Sequence, residues 1–294
     1  MIVQVKGLKK KYKKDWVLKG IDITIDEPQI IALVGPNGSG KTTLLNCMMN
    51  LLTFNEGSVE ILGKPNSDPS LFNEISYLQD NRILYGNLTA YDHLKFICRV
   101  QKIPFDRIQE VAERVGMTGY MKRRVRSFSL GMKQHLLLAM AILNKPKLLI
   151  MDEPLNGLDP TSAINVRTIL LELYNEGTTI IISSHVLDEI DRLTNTIYFM
   201  KDGALLKESL EKLTVTNYEL TVSEPEKAKE ILDESGLPVT MNELGHLNFK
   251  ETDVPLQTII DVLYRNDVVI AYIDNHKAGA EKRYRELFEE RSPV

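Results

Sequence analysis

Gly35-Pro36-Asn37-Gly38-Ser39-Gly40-Lys41-Thr42, followed by Thr43, decides how this chain is read. It matches the glycine-rich phosphate-loop pattern in full, and its setting is the required one: the apolar run Ile30 to Val34 precedes it and a helix begins at Thr42. Glycines let backbone N–H groups turn inward around an anion, and the start of the following helix adds its positive end to the same place. Lys41 is placed to neutralise β- and γ-phosphate charge, and Thr42 to hold magnesium.

The sequence on either side predicts the sheet around this loop. Ile21, Ile23 and Ile25 alternate with Asp22, Thr24 and Asp26, the pattern of a half-buried antiparallel strand in an edge sheet. Ile30 to Val34, Leu148 to Met151 and Ile180 to Ile182 are instead continuous apolar runs, expected of parallel strands covered on both faces by helices. Between about Tyr85 and Leu143 strand signals stop. Helical ones take over from Thr89, whose spacing to Asp92 forms a capping box, so a helical insertion interrupts the sheet. A helix follows over about Thr161 to Glu176, and Asp202-Gly203 marks a hairpin.

The main domain is expected to cover residues 1–213, and a small domain residues 214–294. The latter reads as strand (Tyr218 to Val222), helix (Glu224 to Glu234), strand (Pro238 to Met241), strand (His246 to Phe249), helix (Val254 to Tyr264) and strand (Val268 to Ile273), a ferredoxin-like α+β order. A charged helix over about Gly279 to Glu290 closes it. With no catalytic constellation, this tail is assigned regulation or support of a dimer.

The 294 residues, with a net charge of -4, fit an ordinary globular protein without the basic footprint of a nucleic-acid binder. Lys9, Lys10, Lys11, Lys13 and Lys14 read as a solvated turn. Cys47 and Cys98 follow no metal or disulfide spacing and suit a reducing cytosol. The amino terminus does not read as a signal peptide, and no apolar run approaches the ~20 residues of a membrane span, so other chains must do any spanning.

Leu148-Leu149-Ile150-Met151-Asp152-Glu153 is an apolar strand ending in two carboxylates. Asp152 is placed to order a magnesium shell, and Glu153 to act as general base toward water behind the γ-phosphate. Phe128-Ser129-Leu130-Gly131-Met132-Lys133-Gln134 opens a helix just upstream, where Ser129 can serve as N-cap and the N–H groups near Gly131 can meet a γ-phosphate.

That last stretch resembles the signature sequence of the ATP-binding cassette family, and the resemblance covers almost all of the first domain. It implies the cassette fold: a P-loop α/β domain with a mixed central sheet, an antiparallel edge sheet and a helical insertion. Asn156-Gly157-Leu158-Asp159-Pro160 resembles the family's D-loop, which would have Asp159 link two sites across a dimer. His185 resembles its switch histidine, in contact with the γ-phosphate, and Tyr12 occupies the place of an aromatic that stacks on adenine.

Leu130 stands where the family usually has the first of two glycines, a variant similar to exporter cassettes for antibiotics and antimicrobial or toxic peptides. Asp80 falls where the family keeps a magnesium-contacting glutamine, with Gln79 beside it, and both remain open as oxygen donors. His135 stands where an arginine is common.

The family architecture pairs the P-loop of one subunit with the signature of another. The resemblance therefore implies a dimer, with itself or a paralogue, binding ATP and Mg2+ on the cytoplasmic side of a membrane. A separate permease, met by the insertion near Tyr85-Gly86-Asn87-Leu88-Thr89, would carry the substrate, an amphipathic peptide, drug or lipid-like molecule. The alternatives are a soluble cassette acting on ribosomes or DNA, and an ATPase sensor with a ligand-binding tail.

Overall fold

The structure, a computed structural model, describes residues 1–79, 81–185, 187–210, 216–242, 244–277 and 280–288. Two compact units divide the chain, Met1–Glu208 and Ser209–Val294. The expected boundary at Leu213 lies outside the described residues.

In the first unit, β1 (Val3–Tyr12) and β2 (Asp15–Ile25) form an antiparallel hairpin. Alternation in β2 puts Ile21, Ile23 and Ile25 inside and Asp22 and Thr24 outside, as the period of two requires. After β3 (Ile30–Val34) and α1 (Lys41–Met48), β4 (Glu56–Ile61) and the short β5 (Lys64–Pro65) complete a sheet of order β2-β1-β4-β5.

The central sheet begins with β6 (Ile75–Leu78). The chain then leaves it for α2 (Ala90–Gln101), α3 (Asp106–Arg114) and α4 (Leu130–Ile142) before returning in β7 (Leu148–Asp152). The expected capping box opens α2: Thr89 Oγ1 accepts from Asp92 N, and the Asp92 carboxylate accepts from Thr89 N. α5 (Pro160–Asn175), β8 (Thr179–Ser184), α6 (Leu187–Asp191), β9 (Thr196–Lys201) and β10 (Ala204–Ser209) follow.

Strand order is β10-β9-β3-β8-β7-β6, and β9, β3, β8, β7 and β6 run parallel. Every residue of β3 and β8 is buried, which is why these strands read as apolar runs. Asp202 and Gly203, both at positive φ (52° and 80°), make the tight turn that lets β10 fold back on β9. The order places the carboxyl ends of β3, β7 and β8, three adjacent strands, along one rim, where ligands bind in open α/β sheets.

The second unit runs β11 (Thr216–Val222), α7 (Pro225–Glu234), β12 (Thr240–Met241), β13 (Leu247–Lys250), α8 (Leu256–Arg265), β14 (Ile270–Lys277) and α9 (Ala280–Phe288). Its antiparallel order, β12-β13-β11-β14, is the ferredoxin-like one expected from the element sequence. Leu220, Leu232, Leu247, Ile259 and Leu263 form its core at 0% exposure. Several strand limits differ from expectation by one to four residues. β12 starts at Thr240 rather than Pro238, and β14 continues to Lys277 because its whole length pairs with β11. The ends of the closing helix, expected near Gly279 and Glu290, lie outside the described residues.

A phosphate-loop site at the sheet rim

The loop after β3 wraps the amino end of α1, with Gly40 as N-cap at φ 108°, a conformation that only glycine adopts without strain. Packing is tight at two of its glycines. A Cβ on Gly35 would stand 2.7 Å from Met200 O and 2.8 Å from Ser39 Oγ, and one on Gly40 would stand 3.0 Å from Val17 Cγ1. Val17 belongs to β2, so the edge sheet buttresses the loop.

Lys41 is 6% exposed. Its Nζ donates to Gly35 O at 2.7 Å and Pro36 O at 3.4 Å and lies 3.5 Å from Glu153 Oε1. The ammonium thus hangs inside the curl of the loop, held by main-chain oxygens. Beside it, Thr42 Oγ1 donates to Asp152 Oδ2 at 2.7 Å, and Ser183 Oγ donates to Asp152 Oδ1 at 2.5 Å. Asp152 is therefore oriented through both carboxylate oxygens.

Ser183 also accepts from Glu153 N at 2.9 Å. That bond holds Glu153 at φ 52°, a left-handed conformation that costs a non-glycine residue free energy and that surrounding structure must enforce. The result aims the Glu153 carboxylate at Lys41 on one side and at His185 Nδ1, 2.7 Å away, on the other.

The expected residues Gly35 to Thr42, Asp152, Glu153 and His185 thus converge. Thr43, expected beside them, follows within α1. Ser183 was missed; the signal was a hydroxyl pair, Ser183-Ser184, ending an apolar strand immediately before His185. Tyr12 sits at the tip of the β1–β2 hairpin, 46% exposed, with Lys10 Nζ 5.3 Å from its ring centroid. Gln79 follows β6 and lines a groove described below, and among the described residues no hydrogen bond ties it to Thr42 or Asp152. Asp80 lies outside the described residues.

A second cluster surrounds the start of α4. Ser129 is its N-cap and accepts from Met132 N at 3.3 Å. Asp159 caps α5, accepting from Ser162 N at 3.0 Å and Ser162 Oγ at 2.7 Å, and these bonds hold its carboxyl below the usual range. A Cβ on Gly131 would stand 2.7 Å from Ser162 Oγ, so the two helix starts abut. Further along α4, His135 Nδ1 bonds Tyr120 Oη at 3.0 Å while its buried Nε2 has no partner among the described residues. Among the described residues no hydrogen bond or ion pair joins Ser129 to the Lys41 cluster.

The donor set suits a polyphosphate and a hard divalent cation. Ser39 Oγ is buried in the loop without a hydrogen-bond partner among the described residues, Lys41 supplies a nearly enclosed cation, and Thr42 with Asp152 offers a hydroxyl and a carboxylate in contact.

The family model described as ABC transporter matches residues 18–156. The lantibiotic transport ATP-binding protein SrtF of Streptococcus pyogenes is 37% identical over 207 residues, 70% of this chain and 90% of that protein. The bacitracin transport ATP-binding protein BcrA of Enterococcus faecalis is 34% identical over 242 residues, 80% of this chain and 79% of that protein.

The uncharacterized ABC transporter ATP-binding protein YhcH of Bacillus subtilis is 29% identical over 296 residues, 97% of this chain and 95% of that protein, so the likeness extends through the second unit. Among solved structures, an ATP binding subunit of an ABC transporter matches with a TM-score of 0.67 and 25% identity, over 72% of this chain and 92% of that one. A dimeric cassette bound to ADP and Pi matches in fold, with a TM-score of 0.65 and 24% identity over 71% of this chain and 98% of that one. The chain belongs to the ATP-binding subunits of ABC transporters, a family of nucleotide-binding ATPases.

Proposed function

We propose that two copies of this chain, or one copy and a paralogue, close on two MgATP and use hydrolysis to drive export of an amphipathic peptide, drug or lipid-like molecule through a separate permease at the cytoplasmic face of a membrane. The carrying observation is that the Lys41 cluster and the Ser129 helix start, each of which receives phosphate on this reading, share no hydrogen bond or ion pair within the chain, among the described residues. A second copy supplies the missing half.

Within one site, the N–H groups of Gly35 to Thr43 cradle the phosphates and Lys41 exchanges Glu153 for phosphate oxygens. Thr42 and Asp152 hold magnesium, with Gln79 or Asp80 as a further oxygen donor. Magnesium, when bound, screens the charge on the transferring phosphoryl group. Glu153 takes the proton of the attacking water, His185 orients the γ-phosphate side of the site, and Tyr12 stacks on adenine. From the other subunit, Ser129, Leu130, Gly131 and Met132 cap the γ-phosphate at a helix amino end, and Asp159 spans the two sites.

The permease reading is supported by a groove of about 470 Å³ in the first unit, whose lining includes Leu51, Phe72, Ile75, Leu78, Ile83 and Met140. Leu51 is 60% and Phe72 57% exposed, a concentration of apolar surface that marks an interaction site. Tyr85 and Leu88, the expected contacts, are also exposed at 70% and 43%. No described helix is long and apolar enough to cross a membrane. The lantibiotic and bacitracin transport relatives point to the cargo class.

Ser129→Arg tests the cross-subunit site, since Ser129 is exposed and the substitution leaves the P-loop intact. ATP binding to the monomer is expected to persist while ATP-driven dimer formation and turnover are lost, and wild-type specific activity is expected to rise with protein concentration. Full turnover by Ser129→Arg, at a specific activity independent of dilution, would overturn the proposal.

A further inference from the structure

The residue that departs from the family's usual signature has a specific seat in this fold. Leu130, the first residue of α4, is 41% exposed, and an exposed leucine by itself needs no explanation. Its Cδ2, however, lies 3.0 Å from where a Cβ on Gly157 would stand. Gly157, at φ 70°, is thus the side-chain-free floor on which the leucine rests.

Next to this contact, Gly131 abuts Ser162, whose hydroxyl donates to Asp159. The first turn of α4 therefore meets the Asn156-Gly157-Leu158-Asp159 loop and the first turn of α5 at two adjacent points. One is a close approach of small groups around a hydrogen-bonded cap, and the other is apolar and depends wholly on the side chain at position 130.

We propose that Leu130 is a positioning residue: packed over Gly157, it fastens the Ser129–Met132 helix start to the Asn156–Asp159 loop so that both present to the partner subunit's nucleotide as one rigid unit. This rests on the reading that both segments face a nucleotide held by a second copy. Without the leucine, the helix start keeps its N-cap at Ser129 and its approach to Ser162 but can tilt away from the loop. Such loss of alignment lowers the rate of closure and chemistry without touching the P-loop that binds ATP.

Leu130→Ala is therefore expected to reduce kcat about 10- to 100-fold, the order caused by small misplacements of catalytic groups. The KM for ATP and ATP binding to the monomer should stay within about threefold of wild type, because removing a transition-state alignment acts on kcat. Leu130→Met should restore most of the activity.

A double-mutant cycle separates positioning from a generic structural effect. Gly157→Ala introduces a Cβ 3.0 Å from Leu130 Cδ2 that displaces the leucine from its seat, so it should reduce kcat more in the Leu130 chain than in a Leu130→Gly chain, where only the strain at positive φ remains. Wild-type kcat in Leu130→Ala, or additive effects of Gly157→Ala and Leu130→Gly, overturns the proposal even where ATP still assembles dimers. Wild-type turnover independent of protein concentration would instead remove the cross-subunit reading beneath it.

Discussion

Replacing Glu153 with glutamine should move two measured quantities in opposite directions. The wild-type carboxylate lies 3.5 Å from Lys41 Nζ, with the two side chains 24% and 6% exposed. At an effective dielectric constant near 20 the attraction across that distance is about 5 kcal/mol. The cost of desolvating both groups offsets most of it and leaves a net of about 1–2 kcal/mol. An incoming triphosphate must displace this pairing, so its removal should tighten ATP binding roughly 5- to 30-fold.

Loss of the general base should in turn lower kcat by ~10²- to 10⁴-fold, roughly 3–5 kcal/mol of barrier. Glutamine keeps the shape of the side chain and meets the same backbone strain at φ 52°, so the variant should fold as the wild type does. Steady-state phosphate release at saturating MgATP gives kcat, and equilibrium titration with a fluorescent ATP analogue gives the affinity. Light scattering should show an accumulated ATP-bound dimer. Turnover within about tenfold of wild type would refute the base assignment, and weaker ATP binding would refute the argument that Glu153 competes for Lys41.

Two further outcomes follow from the same geometry. Thr42→Val removes the hydroxyl that touches Asp152, so the magnesium concentration for half-maximal ATPase activity should rise about 10- to 100-fold, and an unchanged magnesium titration would count against Thr42 as a ligand. Burial depresses the pKa of His135 below its usual 6.5, partly opposed by the Asp159 charge, so folding favours the neutral ring. Its contribution to stability is present in full above pH 6.5 and is lost as pH falls through the lower folded-state value. Wild type should accordingly lose more Tm than His135→Gln between pH 7.5 and 5.5; parallel losses would exclude the buried imidazole as the cause.

The chain's local chemistry was enough to locate the phosphate loop, the alternating edge strands, the buried parallel strands and the order of elements in the second unit. Each of these is written in neighbouring residues. Backbone freedom at Gly38 and Gly40 is intrinsic to glycine, alternation at Ile21, Ile23 and Ile25 follows from the pleat, and the Thr89–Asp92 cap closes within one helical turn. Strand limits were less legible. The last strand was expected to end at Ile273, yet Asp274 and Asn275 stay in β14 because β11 supplies a ladder along its full length.

What tertiary structure alone decided is the set of contacts between residues far apart in the chain. Thr42 and Asp152 are separated by 110 positions, and Ser183 lies 31 beyond Asp152. They meet only because β3, β8 and β7 are neighbours in the sheet, an order that no local pattern encodes. The left-handed turn at Glu153 and the seat of Leu130 over Gly157 have the same origin. The first is a conformation that packing imposes on a residue whose own preferences would not select it, and the second is a contact between residues distant in the chain.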